Sequence, residues 1–138
     1  MYYYTVHADY CVFKEKVMLL VGAFILIFIG FVHSYLGEKY LLIRLFKRDN
    51  LPKLLGSDWF TKRVLRFAWH LTTIAWWGFA AILYFMSSPS SELRFEILIT
   101  IASVFAASGV MSFIFSRGKH LSWFFFFCVA GVSVFGAI

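Results

Sequence analysis

Arg66-Phe67-Ala68-Trp69-His70-Leu71-Thr72-Thr73-Ile74-Ala75-Trp76-Trp77-Gly78-Phe79-Ala80-Ala81-Ile82-Leu83-Tyr84-Phe85-Met86 is the stretch whose reading decides the fold. It is long enough to cross a bilayer as a helix, yet it carries a polar stripe. Arg66, His70, Thr73, Trp77 and Tyr84 follow one another at three, four or seven residues, which places them on one side of an α-helix. The other side is Phe, Ala, Ile and Leu. A helix of this kind turns its apolar arc to lipid and its stripe to partner helices, because an ionisable group is costly in hydrocarbon and normally faces protein.

The rest of the chain agrees with that environment. Of 138 residues, 62% are hydrophobic and 14% charged, and 18 are Phe, which is outside the range of soluble domains. The chain reads as one integral membrane domain in contact with the lipid bilayer. The net charge of +6 raises nucleic acid as a partner. The basic residues, however, sit between apolar runs rather than in an aromatic-interleaved patch, which points to membrane topology instead. Cys11 lies in a polar segment and Cys128 deep in the last apolar run, so no disulfide is expected.

Outward from the deciding stretch, four spans are predicted, at about 17–36, 64–86, 95–115 and 120–138. Residues 1–16 mix tyrosines with charges, lack the layout of a signal peptide and are expected to form a poorly ordered tail. Met18 follows that tail and offers an alternative start. The twenty residues from Val17 to Leu36 supply about 30 Å of helix, with Gly37 expected to break it. Between Glu38 and Arg63 the chain is strongly basic. Tyr40–Phe46 is too short to cross and is expected to lie along the surface, and Asp58 is placed to cap the second helix. Ser87-Ser88-Pro89-Ser90-Ser91 and Ser116-Arg117-Gly118-Lys119 are turns. In the third span, Ser108, Ser112 and Ser116, with Ala102, Ala106 and Gly109, form small faces of the kind that let helices approach in lipid.

Eight of the thirteen Lys and Arg residues lie in 38–66 and two more in 116–119. By the positive-inside rule both loops face the cytoplasm and both termini face away from it. The fold expected is therefore all-α, a four-helix transmembrane bundle.

That topology brings His33, His70 and His120 to the cytoplasmic side, with Glu38, Arg66, Ser34 and Ser122 near them. Three readings are open. The histidines meet headgroups and water; or they hold a transition metal or haem b, with Glu38 as an extra ligand; or Arg63, Arg66 and His70 hold an anionic ligand. No His-x-x-His, Cys-x-x-Cys or Glu-x-x-His pair fixes two ligands on one helix. Arg66 either snorkels to the surface as an anchor or forms an ion pair with Glu38.

Enzymatic signatures are sparse. No Gly-x-Ser-x-Gly elbow occurs, no carboxylate dyad is present, and no acid lies in mid-span to carry protons. Trp76 and Trp77 lie at the centre of the second span, and Trp77 has two readings, core filling or a hydrogen bond across the bundle. The function expected is a non-catalytic structural or interaction component, meeting a membrane-protein partner or a second copy through small-residue faces. The alternative is a metal- or haem-binding membrane protein.

Three segments together, His33-Ser34-Tyr35-Leu36-Gly37-Glu38, Arg66-Phe67-Ala68-Trp69-His70-Leu71-Thr72 and Gly118-Lys119-His120-Leu121-Ser122-Trp123, resemble small uncharacterised four-span bacterial membrane proteins. The resemblance covers about Met18 to Ile138. It implies a multi-pass protein of the bacterial inner membrane and carries no activity with it.

Overall fold

The computed structural model describes the backbone from Tyr2 to Ile138 and side chains from Val12 onward. It is all-helical, with four helices. Helix α1 runs Tyr2–Leu36 and continues without a break through a π-helical stretch, Gly37–Leu42, into a last α-turn, Ile43–Leu45. Helices α2 (Asp58–Ser87), α3 (Leu93–Ser116) and α4 (Ser122–Ala137) follow.

Three expectations change along α1. Residues 2–16, expected as a tail, are helical, and no Gly or Pro interrupts the sequence before Gly22. Gly37 does not end the helix but opens the π stretch. Tyr40–Phe46 therefore does not form a separate surface helix, because 37–45 prolongs α1. A π turn holds more than 3.6 residues, so steps of four stay on one face there. Glu38 and Leu42 consequently share the face turned to α2, and Leu42 is buried.

Sequence chemistry sets the other boundaries. Leu55 and Gly56 adopt positive φ of 55° and 84° just before α2, and the Thr61 hydroxyl donates to Pro52 O at 2.7 Å, tying the loop to the helix. Asp58 is not the cap. Ser57 occupies that position without a side-chain bond, and Asp58, in the first turn, pairs with Lys62 at 2.5 Å. That hydrogen bond holds the Asp58 carboxyl below its ordinary range. Helix α3 closes with Gly118 N–H donating to Phe113 O at 2.9 Å and Arg117 N–H to Ile114 O at 3.3 Å. This is the Schellman pattern, with Arg117 at the left-handed position (φ 52°) that glycine normally takes.

Among the described residues, backbones approach closely only between successive helices: α1 on α2, α2 on α3, α3 on α4. Among the described residues α1 makes no such approach to α4, so the expected bundle is an open row.

The interior inverts the soluble pattern. Six apolar residues are buried (Ala23, Leu42, Phe67, Ala80, Ala102 and Ala130), against seven polar ones, all Ser or Thr. Phe24, Val132 and Phe135 are 70–82% exposed. Two helical stretches, Val12–Leu45 and Leu93–Ser116, are long and apolar enough to cross a membrane, and only 11% and 22% of their most apolar windows are buried in the protein. Helix α4 has 16 residues, a rise of about 24 Å. Cys128 is free and exposed on α4; the Cys11 side chain lies outside the described residues.

Candidate functional site

The polar stripe of α2 meets α1 rung by rung. Trp77 Nε1 donates to Ile27 O at 3.3 Å, and the Thr73 hydroxyl donates to Gly30 O at 3.5 Å. His70 Nδ1 pairs with Ser34 Oγ at 2.5 Å. Arg66 reaches Glu38 through two atoms, Nη2 to Oε1 at 2.9 Å and Nε to Oε2 at 3.2 Å. Each step of three or four down α2 matches a step of three or four up α1, which is the register of antiparallel helices. Tyr84, the last member of the stripe, is 60% exposed.

A second file of contacts lies beside the first. Trp69 Nε1 donates to His33 O at 3.2 Å, while the His33 ring stacks on the Trp69 indole at 4.4 Å between centroids and 3° between planes. His33 Nε2 pairs with Thr72 Oγ1 at 2.9 Å. Two glycines of α1 admit the indoles. A Cβ on Gly37 would stand 1.9 Å from Trp69 Nε1, and one on Gly30 would stand 2.5 Å from Trp77 Nε1.

Glu38 sits where the rungs end. Its Oε2 also lies 3.4 Å from His70 Nε2. A carboxylate only accepts, so this arrangement puts the ring proton on Nε2 and lets the Ser34 hydroxyl donate to Nδ1 in the neutral imidazole. Ser34, His70 and Glu38 thus stand in the order of a hydrolase triad. Ser34, however, lies within an unbroken helix, where the neighbouring amides are already bonded to carbonyls one turn back. They are not available as oxyanion donors. The array joins α1 to α2.

His120 is engaged elsewhere. Its Nδ1 meets Ser122 Oγ at 2.7 Å, Ser122 Oγ meets Ser112 Oγ at 2.6 Å, and the ring lies edge-on to Phe67 of α2 at 5.5 Å. His33, His70 and His120 therefore each have a separate set of partners. Glu38 joins only His70, and among the described residues no group of three or more His, Cys, Asp or Glu could hold a metal ion. Arg63 does not join Arg66 and Glu38; its guanidinium lies 5.2 Å from the Trp59 ring centroid.

The small faces of α3 are consumed inside the chain. The Ser108 hydroxyl donates to Val104 O and that of Ser116 to Ser112 O, each at 2.7 Å, which silences them within their own helix. Gly109 receives the Phe127 ring of α4. Between α2 and α3 a cleft of about 500 Å³ is lined by Trp77, Gly78, Phe85, Phe95 and Glu96. Glu96 Oε2 is buried there without a hydrogen-bond partner among the described residues.

Sequence reasoning found Arg66, His70, Thr73, Trp77 and Glu38 from periodicity and charge. It missed Trp69 and Thr72 as partners of His33, and it missed Trp59. The signal for Trp69 was present: Gly30 and Gly37 are one heptad apart on α1, and two bulky indoles at similar separation face them. Comparison with known proteins finds no matching family model, curated protein or solved structure.

Proposed function

We propose that this chain is a multi-pass protein of a cell inner membrane, with four spans and both termini on the non-cytoplasmic side, and that it acts as a non-catalytic structural or interaction component. One observation carries the reading: from Ile27 to Glu38, the polar side chains that α2 turns toward α1 bond to α1 itself. Polar groups so engaged hold spans together and leave no free set for a reaction.

The exterior supports the membrane part. Large apolar side chains cover the outside, while Ser and Thr fill the contacts between helices, the arrangement expected when lipid replaces water as solvent. Helix α2 carries too many polar residues to stand alone in hydrocarbon, but it packs on α1 along one side and on α3 along another. The open row supports the interaction part, since among the described residues the outer flanks of α1 and α4 have no partner helix.

Isolation in mild detergent or lipid nanodiscs, followed by native mass spectrometry, tests the proposal. The expected result is a complex with a second copy or another membrane protein. A lone monomer across mild conditions overturns the interaction role. Extraction of the chain from membranes by alkaline carbonate overturns the membrane reading.

A further inference from the structure

Three further cations converge on one aromatic ring. Around Trp59, in the first turn of α2, stand Arg63 at 5.2 Å, Arg117 at 4.7 Å and Lys119 at 5.9 Å from the ring centroid. They come from two segments far apart in sequence, the start of α2 and the α3–α4 turn. An indole attracts cations through its π-face, but three like charges gathered round one ring repel one another. No carboxylate within ion-pair distance of any of the three relieves that repulsion among the described residues. The nearest acid in sequence, Asp58, is occupied by Lys62, and Glu38 by Arg66 and His70.

Arg117 takes the left-handed position, φ 52°, of the cap that closes α3. Arg117 and Lys119 are exposed, whereas Trp59 and Arg63 are half-buried. The cluster is therefore open on one side and anchored on the other.

We infer that Trp59, Arg63, Arg117 and Lys119 form a binding site for the phosphate of an anionic phospholipid headgroup, on the side of the membrane where both basic loops lie. The inference rests on the membrane reading above. Guanidinium groups match phosphate oxygens in pairs, an ammonium adds a third positive contact, and an indole suits the boundary between acyl chain and headgroup. An anion seated there neutralises the repulsion and fastens the α3–α4 turn to the start of α2.

The experiment uses the full chain in non-ionic detergent, with phosphatidylglycerol or phosphatidylcholine added and bound lipid counted by native mass spectrometry. Phosphatidylglycerol is expected to be retained in preference to phosphatidylcholine. Each cation removed from the cluster should weaken its retention about fivefold, the effect of one basic residue near an anionic surface. Arg63→Gln, Arg117→Gln and Lys119→Gln combined should erase the preference. Lys47→Gln, Arg48→Gln and Lys53→Gln combined remove the same charge from the basic loop and should change retention less than twofold. If both triple variants fall equally, net charge rather than a site is responsible, and the inference is overturned. If inorganic phosphate in excess displaces phosphatidylglycerol, the ligand is a soluble anion and the lipid assignment fails. Should the triple variant lose its helical circular dichroism, Lys119→Gln, at an exposed turn, carries the test alone. Carbonate extraction examines the membrane reading separately, so its failure is distinguishable from failure of the site.

Discussion

Replacing Gly37 by Ala isolates the fit between α1 and α2. By helix propensity alone the substitution helps, by about 1 kcal/mol. Here the new Cβ would stand 1.9, 2.2 and 2.6 Å from three atoms of the Trp69 indole, the body of a ring rather than the end of a flexible chain. The ring must retreat by more than an ångström to restore contact distance. Retreat breaks the Trp69 Nε1 bond to His33 O and spoils the stack on the His33 ring. The hydrogen bond contributes about 1 kcal/mol, the stack about 0.5–1.5, and overpacking adds about 1–3. Against the propensity gain, a net loss of about 1.5–4.5 kcal/mol is expected. Reversible unfolding in mixed detergent micelles measures it. Removing the ring as well separates clash from other effects: in Gly37→Ala with Trp69→Leu the damage should be smaller than the sum of the two single changes, because Ala no longer meets the indole. A Gly37→Ala protein as stable as the parent, or additive behaviour in the pair, would refute the close approach.

Arg66→Lys should lower stability by about 1 kcal/mol and Glu38→Gln by a similar amount, since the two-atom contact needs the guanidinium fork and the pair is partly exposed; equal melting of all three proteins would leave Arg66 as a simple anchor. Glu96→Leu should raise the melting temperature, because it removes a buried carboxylate oxygen that has no partner, a gain of about 1 kcal/mol. The depressed Asp58 carboxyl contributes stability that is fully present above its ordinary value of 3.8 and is lost as pH falls through the lowered one; Asp58→Asn should abolish that part of the acid dependence. Reporter fusions at Asn50 and Ser88 should show the first site cytoplasmic and the second not, and periplasmic activity at Asn50 would invert the topology. Purified protein is expected to carry neither stoichiometric transition metal nor a haem Soret band, and finding either, lost in His70→Ala, would restore the cofactor reading.

The helical class was legible because apolar runs of this length have few other uses, and the α2 stripe because a period of three and four survives in any helix. Four of its five members meet α1, and Tyr84 does not. The end of α1 was not legible. Glycine ends many helices, but at position 37 its missing side chain serves an indole 32 positions away in sequence, a contact that local propensity cannot register. Asp58 shows a similar limit: its sequence suited a cap, yet Lys62 one turn on captured the carboxylate. The histidines were placed near one end of the spans by topology, but depth along a helix says nothing about rotation around it. His33 and His70 face α2 and α1 through different files, and His120 faces Phe67 on the other side of α2. Trp59 escaped notice because two of its three cations, Arg117 and Lys119, belong to a turn that only the folded chain brings to it.

The open row has a bearing on how the protein is made. Every close helix contact joins neighbours in sequence, so each helix leaving the ribosome finds its partner in the one synthesised just before it. No early helix has to wait for a late one to close a ring, and long-range search, the slow step in folding chains of high contact order, is largely avoided. Once α2 has cleared the ribosome, both sides of the α1–α2 ladder are free, and that hairpin can close while α3 is still emerging.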